Sequence, residues 1–226
     1  MINIEQFANK RDVYHATNPK ALVVLAHGAG AGNQHEFIKT VAMLLAENGF
    51  TVSALNFPYM QSAYELDKKR PPNKAPQLLQ ALQDEVEWLS DAISPSLDIF
   101  IVGKSMGGRM ATLLASSKTP DFNTKIKGVV ALGYPFHPPG KKEKLAERIE
   151  HFSALKAPML IIQGERDTFG NKTLVASTPS LASIDIEWLI DGDHSFKPRK
   201  SAPVTEKQNI QTACEYTTKF ILGQLP

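Results

Sequence analysis

The side chains that could carry out chemistry centre on a Gly-x-Ser-x-Gly motif at Gly103–Gly107. A short apolar run, Ile99–Val102, leads into the motif, and the apolar spacing of Met110 and Leu113 behind it predicts a helix. A serine between a strand and a helix is typical of a nucleophile elbow, in which a strained backbone pushes the hydroxyl clear of the sheet. Glycine is expected at both ends of the motif because a side chain there would collide with a neighbouring element. The pattern predicts that Ser105 is a nucleophile.

A serine hydroxyl needs a base within hydrogen-bond reach, and the base needs an acid that fixes its tautomer. His194 is the predicted base, because it follows a strand in a Gly-flanked turn and comes last in the chain order serine, acid, histidine. Asp167 is the predicted acid, since it directly follows the apolar run Met159–Gln163. Glu165 in the same loop and Asp193 beside the histidine compete with it for this role.

A glycine-rich loop, His27–Gly32, follows the first predicted core strand and is expected to form half of an oxyanion hole. The two backbone donors are predicted to be the N–H groups of Met106, which follows the serine, and of Ala29. His27 is expected to brace this loop. The remaining histidines are expected to be surface or satisfied core residues: His15, His35, His137 and His151.

Two phosphate-binding alternatives fit the sequence poorly. The segment around Lys104 resembles the end of a P-loop, but Asp98 stands where that motif needs its first glycine. A dinucleotide-binding loop after the first core strand would need glycine where Asn33 stands, and no acidic residue ends the strand Thr51–Phe57 to hold a ribose. Metal ligands with recognisable spacing are also missing from the sequence. We therefore predict neither a metal nor a cofactor.

Two arginines are candidates for holding a substrate carboxylate or phosphate through a bidentate contact, namely Arg70 and Arg109. Arg70 is the stronger candidate because it lies in Pro58–Pro76, which is predicted to be a long irregular loop. A solvated surface arginine is an equally good interpretation of either residue.

Composition indicates one globular domain over residues 1–226, with 42% hydrophobic residues and a net charge of +2. The small charge does not suggest a nucleic-acid partner, and no apolar stretch is long enough for a membrane span. A single cysteine, Cys214, rules out an internal disulfide and fits a reducing compartment. With no signal core in Met1–Arg11, we expect a soluble cytoplasmic protein and make no prediction of its oligomeric state.

The predicted elements alternate between strand and helix, which favours an α/β fold with a mostly parallel sheet and helices on both faces. In such a sheet the ligand site lies at the carboxyl ends of the strands, so the loops that carry the candidate residues are expected to meet there. Val13–Ala16 is a candidate first edge strand. The other predicted strands are Leu22–Ala26, Thr51–Phe57, Ile99–Val102, Ile126–Leu132, Met159–Gln163 and Ile184–Ile190.

Seven motifs, in this order, resemble the dienelactone-hydrolase-like group of the α/β-hydrolase superfamily over roughly residues 20 to 222. Within that group the chain resembles testis-expressed protein thirty and the hydrolase-like domain of a histone acetyltransferase complex subunit. The motifs are His-Gly-Ala-Gly (27–30), Asn-Phe-Pro-Tyr (56–59), Arg-Pro-Pro (70–72), Gly-Lys-Ser-Met-Gly-Gly-Arg (103–109), Gly-Tyr-Pro-Phe-His-Pro-Pro-Gly (133–140), Gln-Gly-Glu-Arg-Asp (163–167) and Asp-Gly-Asp-His (191–194).

The resemblance implies an α/β-hydrolase fold with eight strands, one more than we count, and the roles of nucleophile, acid and base for Ser105, Asp167 and His194. Dienelactone hydrolases use a cysteine nucleophile, whereas a serine stands here. The segment between the Ile126–Leu132 and Met159–Gln163 strands is too short for a large cap domain. A shallow pocket is therefore expected, lined by the irregular stretch 58–76 and by residues 134–140.

We accordingly expect a serine hydrolase that acts on small carboxylic esters or thioesters through an acyl-enzyme at Ser105. The alternative is a binding or scaffold module that kept the hydrolase fold without catalysis, because fold does not determine function. The complete set of serine, acid and histidine favours the enzyme, since a scaffold has no physical need for all three.

Overall fold

The computed structural model describes residues 2–117 and 126–226 and contains one sheet with the strand order β1-β2-β4-β3-β5-β6-β7-β8. The two pairings that involve β2 are antiparallel, and all the others are parallel. This confirms the predicted mostly parallel α/β architecture. The strands are β1 (Asn3–Phe7), β2 (Arg11–His15), β3 (Ala21–Ala26), β4 (Phe50–Leu55), β5 (Ile99–Lys104), β6 (Ile126–Leu132), β7 (Met159–Gly164) and β8 (Asp185–Leu189).

Helices cover both faces of the sheet. The described residues form α1 (Glu36–Glu47), α2 (Pro58–Glu65), α3 (Ala75–Ile93), α4 (Met106–Ala115), α5 (Leu145–Ile149), α6 (Lys172–Ala176) and α7 (Glu206–Gln224), with three short 3-10 turns at Lys142–Lys144, Glu150–Ala154 and Pro179–Leu181. One face packs against α1 and α7, and the other against α2, α3 and α4. Across the described ranges, no helix is both long and apolar enough to traverse a bilayer.

Continuous apolar runs become strands that are buried on both faces, as expected for a parallel sheet. In β3, Val23 and Leu25 point into the core under α1, whereas Leu22 and Val24 point into the core under α3 and α4. Successive side chains alternate across the sheet, so one uninterrupted apolar segment supplies both cores.

The structure corrects the predicted first edge strand. Residues Arg11–His15 form β2, which pairs on both sides, and the edge is β1, a strand absent from the sequence prediction. The β1 segment Asn-Ile-Glu-Gln-Phe is exposed along almost its whole length, so it carries no apolar pattern. Its place in the sheet comes instead from a tight hairpin, in which Ala8 adopts a positive φ of 49°.

The structure also corrects the stretch 58–76, which was expected to be irregular. Its first part is the helix α2, with Pro58 at the first turn. Proline is favoured there because its fixed φ suits the helix and its missing N–H would have no partner at that position. Tyr59 and Met60 anchor the helix in the core, but the rest of its sequence is polar and lacks a clear helical stripe.

A buried ion pair joins α3 to the antiparallel part of the sheet. The Glu85 carboxylate accepts hydrogen bonds from Arg11 Nε at 2.9 Å and from Ser53 Oγ at 2.5 Å. The Glu85 side chain is only 5% exposed, and the Arg11 guanidinium lies 3.8 Å from the centre of the Trp88 ring. Burial raises the pKa of Glu85, and the bonds from Ser53 and Arg11 oppose that shift.

We predict that Glu85→Ala lowers the free energy of unfolding by about 3 kcal/mol or more, because it leaves a buried arginine without its counter-charge. Urea denaturation measures the effect. Glu87→Ala on the exposed side of the same helix is the matched control and should change stability by less than about 0.5 kcal/mol. Equal effects of the two variants would show that the Arg11 pair does not hold α3 in place.

Candidate active site

Ser105 occupies a sharp turn between β5 and α4 with φ at 51°, a left-handed conformation that non-glycine residues rarely adopt. The turn forms because glycines on either side let the backbones come close. A Cβ on Gly103 would overlap the backbone of α4, and a Cβ on Gly107 would overlap the end of β3. The predicted elbow geometry is therefore confirmed. Met106 is the first residue of α4, so its N–H has no acceptor within the helix.

Three side chains from distant parts of the chain form a continuous series of hydrogen bonds. His194 Nε2 lies 2.8 Å from Ser105 Oγ, and His194 Nδ1 lies 2.8 Å from Asp167 Oδ2. Asp167 is fully buried, and its second oxygen accepts a bond from the Phe169 N–H at 2.8 Å. A carboxylate only accepts hydrogen bonds, so the network assigns the imidazole proton to Nδ1 and leaves the Nε2 lone pair facing the serine hydroxyl.

The two competing acids point elsewhere. The Glu165 carboxylate accepts a bond from the Asp191 N–H at 3.0 Å and pairs with Lys172 Nζ at 3.0 Å. Asp193 Oδ1 accepts bonds from the N–H groups of Ser195 and Lys197 at 2.7 and 3.0 Å. Both carboxylates therefore shape the surrounding loops, and neither contacts the imidazole.

The loop that carries His194 (residues 190–197, called the His194 loop) passes directly over two strand ends. A Cβ on Gly164, the last residue of β7, would overlap the carbonyl groups of Gly192 and Asp193. After β6, Gly133 has φ at 69°, and a Cβ on it would lie 3.2 Å from the His194 carbonyl oxygen. Lys104 Nζ donates a 2.6 Å hydrogen bond to that same carbonyl oxygen. Small residues and one lysine thus hold the loop against the sheet.

The loop after β3 lies beside Ser105, since a Cβ on Gly28 would be 3.6 Å from the Ser105 Cβ. His27 braces it: Nδ1 bonds the Gly28 carbonyl at 2.7 Å, and Nε2 accepts from the Phe57 N–H at 3.0 Å. The Tyr59 hydroxyl also donates to the Gly28 carbonyl, at 3.2 Å. In a trans peptide the carbonyl and the following N–H point in opposite directions, so the Ala29 N–H faces away from both donors. Burial lowers the pKa of His27 to about 4, which keeps this brace neutral.

A cavity of about 680 Å³ opens beside Ser105, between the loop after β3, the start of α1 and the His194 loop. Its apolar wall consists of Phe37, Ile38 and Phe169. Its polar wall consists of His35, Lys104, Asp193, Ser195, Lys197 and Glu206. Within the described ranges, no three potential metal-ligating side chains come together.

The walls of this cavity differ from those expected from the sequence. Tyr134 and Phe136 are fully buried and pack edge to face in a core of their own, so the segment after β6 fills space instead of lining it. Arg70 lies apart from Ser105, in a separate depression with Pro58 and Tyr59. The structure therefore brings Ser105, Asp167, His194, Ala29 and Met106 together, but not Arg70.

Residues 19–222 match the family described as "Alpha/beta hydrolase domain". The chain belongs to the alpha/beta hydrolase family. This match covers the whole sheet from β3 onward and every residue of the hydrogen-bonded series.

Solved structures share the fold of this alpha/beta hydrolase. A dienelactone hydrolase from Anabaena variabilis superposes with a TM-score of 0.73 and 16% sequence identity, covering 100% of this chain and 99% of the other. Est1E from Butyrivibrio proteoclasticus gives a TM-score of 0.68 at 15% identity, covering 99% and 98%. The esterase Pf2001 from Pyrococcus furiosus gives 0.67 at 16% identity, covering 100% and 94%. At these identities the likeness extends to the fold alone.

The cysteine of this hydrolase is remote from the elbow. Cys214 is buried in α7, where burial raises the pKa of its thiol to about 12. A thiol in such an environment is an inert core side chain.

Three side chains that support the site were missed from the sequence. Gln163 Nε2 donates to Asp167 Oδ2 at 2.9 Å, and Phe169 stacks on the His194 ring with centroids 4.1 Å apart. Lys104 belongs to a P-loop-like segment and to the 103–109 motif, and neither pattern indicates its bond to the His194 loop. Gln163 near the end of a strand and Asp167 four residues later could have indicated their hydrogen bond. The ring stacking and the lysine bond depend on how separate loops meet, which local sequence does not encode.

We predict that Gly164→Ala lowers the free energy of unfolding by about 1–3 kcal/mol, since the added methyl group must displace the backbone of the His194 loop. Urea denaturation provides the measurement. Gly223→Ala in α7 is the control, because its added Cβ has no heavy atom within 4 Å and alanine favours a helix. The two variants should shift stability in opposite directions, and a neutral Gly164→Ala variant would contradict the close crossing.

Proposed function

We propose that this alpha/beta hydrolase is a serine hydrolase that cleaves small carboxylic esters or thioesters through an acyl-enzyme at Ser105. The observation that carries the proposal is the unbroken series of bonds from Asp167 through His194 to Ser105. The esterase Pf2001, which shares its fold, supports the same reaction class.

In the first half of the reaction His194 Nε2 accepts the hydroxyl proton as Ser105 Oγ attacks the acyl carbon. The carbonyl oxygen becomes an oxyanion, which accepts hydrogen bonds from the backbone N–H groups of Met106 and Ala29. Each such donor typically stabilises the transition state by ~3 kcal/mol. The buried Asp167 carboxylate holds the imidazole in the required tautomer and stabilises the imidazolium that forms.

Acylation is completed when the imidazolium returns its proton to the leaving alcohol or thiol. The bond from the acyl carbon to the leaving group breaks, and the acyl-enzyme remains. Water then enters, His194 Nε2 takes one of its protons, and the resulting hydroxide attacks the acyl carbon. Collapse of the second tetrahedral intermediate releases the carboxylic acid and restores the Ser105 hydroxyl.

The small-substrate assignment rests on the cavity and on the segment between β6 and β7. That segment folds as α5 and short 3-10 turns, with no extended cap over Ser105. The apolar wall of Phe37, Ile38 and Phe169 suits a short acyl or alkyl group. The opening between the start of α1 and the His194 loop leaves room for the rest of an ester or thioester.

Ser105→Ala should reduce the rate of p-nitrophenyl acetate hydrolysis by at least ~10³-fold, because no oxygen remains to form the acyl-enzyme. A fluorophosphonate probe should label the wild-type protein at Ser105 and leave the variant unlabelled. Equal rates for the two proteins, together with an unlabelled wild type, would contradict the proposal. That result would favour a non-catalytic binding module, the role suggested by the finer resemblance to a subunit of a histone acetyltransferase complex.

Asp167→Asn should fold normally and lower the turnover number by roughly 10⁴-fold, because the amide favours the wrong imidazole tautomer. Steady-state kinetics with the same ester measures the change. Glu165→Gln is the matched control from the same loop and should retain turnover within a few-fold, since Glu165 does not contact His194. If Asp167→Asn keeps its full rate, the acid role belongs to another residue.

A further inference from the structure

Three basic side chains meet between α4 and the turn that follows α5, outside the cavity beside Ser105. Arg109 lies on α4, Arg148 on α5, and His151 in the 3-10 turn Glu150–Ala154. Arg109 Nε, Arg148 Nε and His151 Nδ1 are all buried, and none has a hydrogen-bond partner among the described residues. Each residue is partly exposed, so the group lies just beneath the surface.

Neither guanidinium group makes an ion pair with a carboxylate in the described part of the chain, although Glu147 and Glu150 lie close enough to influence Arg109. The nearby carboxylate of Glu147 is paired with Lys144 Nζ at 2.8 Å, and Glu150 is exposed and makes no ion pair with either arginine. Burial and the positive charge of Arg148 lower the pKa of Arg109, and Tyr134, Glu147 and Glu150 oppose that shift. Two buried cationic donors that repel each other favour an anion from outside the chain.

The hydrogen bonds of His151 determine what kind of anion fits. The Thr112 hydroxyl donates its single proton to the Arg109 carbonyl oxygen at 2.9 Å. In the tautomer that preserves this bond, His151 Nε2, which is 2.9 Å from the same hydroxyl oxygen, is the donor in that contact. Nδ1 is then an unprotonated acceptor. Burial and the charge of Arg109 lower the pKa of His151 to about 4, so the ring remains neutral in this form near neutral pH.

We propose that Arg109, Arg148 and His151 form a binding site for a phosphate group that carries a proton. Its anionic oxygens accept hydrogen bonds from the two arginines, whose Nε–H groups belong to the fork that matches phosphate geometry. Its P–OH group donates to His151 Nδ1. A sulfate ion offers the same oxygens but no proton at this pH, so its oxygen would face the lone pair of Nδ1.

This site is independent of the proposed hydrolysis. None of its three basic residues lines the cavity beside Ser105, and no step at the serine uses them. The ligand class is therefore tested by binding and not by turnover.

The decisive experiment compares sodium phosphate with sodium sulfate at equal ionic strength and about pH 5, where phosphate and its monoesters carry a proton. Thermal unfolding and isothermal titration calorimetry of the full chain provide the readouts. Phosphate should bind saturably and raise the melting temperature, with an affinity at least ~10-fold above that of sulfate. Equal effects of the two anions, or no binding of phosphate, would overturn the proposal, and this arm needs no variant.

Variants locate the effect. Arg148→Met should weaken phosphate binding by ~10-fold or more, whereas Arg70→Met, which removes the same charge from an exposed position elsewhere, should leave it unchanged. His151→Phe should abolish the preference for phosphate over sulfate. Phosphate binding that survives Arg148→Met would place the ion elsewhere and refute the site.

The same titration shows whether the site takes the phosphate group of an organic monoester or free inorganic phosphate. Methyl phosphate represents an organic monoester, and inorganic phosphate represents the free ion. Binding of both with similar affinity indicates an open site that recognises the phosphate of a larger molecule. Binding of inorganic phosphate alone indicates a closed site for the free ion, and either result supports the assigned chemistry.

Discussion

The active site depends on one structural constraint: the His194 loop must reach from the end of β8 across two strands to the end of β5. Strands in a sheet are about 4.8 Å apart, so the crossing spans roughly 14 Å. The backbone makes it by lying flat on the ends of β6 and β7, which requires Gly133 and Gly164 to have no side chain. The bond from Lys104 to the His194 carbonyl holds the far end of the crossing. Every distance in the hydrogen-bonded series follows from this path.

The Asp167 carboxylate is fixed in position by a buried network of hydrogen bonds. Gln163 Nε2 bonds Asp167 and also the carbonyl oxygens of Tyr134 and Gly170, while Gln163 Oε1 accepts from the Tyr134 N–H. A buried polar network of this kind is stable only when every member has a partner. The segment after β6 therefore contributes to the site without touching the cavity: it fixes Gln163, Gln163 fixes Asp167, and Asp167 fixes the imidazole.

The sequence predicted those features whose signal is local. Uninterrupted apolar runs predicted the core strands, and the elbow needed only a strand, two glycines and a helix around Ser105. Features that arise from contacts between distant segments were not predictable. The polar strand β1 is held by a hairpin, α2 lacks a clear apolar stripe, and the cavity walls depend on Tyr134 and Phe136 turning inward instead of toward the serine. The stretch 58–76 was predicted to line the pocket because its prolines indicated a long irregular loop. Proline constrains only the local backbone, so it does not determine how far Arg70 lies from Ser105.

The lysine beside the imidazole bonds the backbone of residue 194 and leaves both ring nitrogens to other partners. Lys104 is half-buried near the rings of Phe37 and Phe196, and desolvation lowers its pKa to about 8, although the carboxylates of Asp167 and Asp193 oppose that shift. Its ammonium group bonds a carbonyl oxygen and not the ring, so it does not compete for Nε2. The lysine therefore fixes the backbone of the His194 loop while Asp167 holds Nδ1 and the Nε2 lone pair stays directed at Ser105.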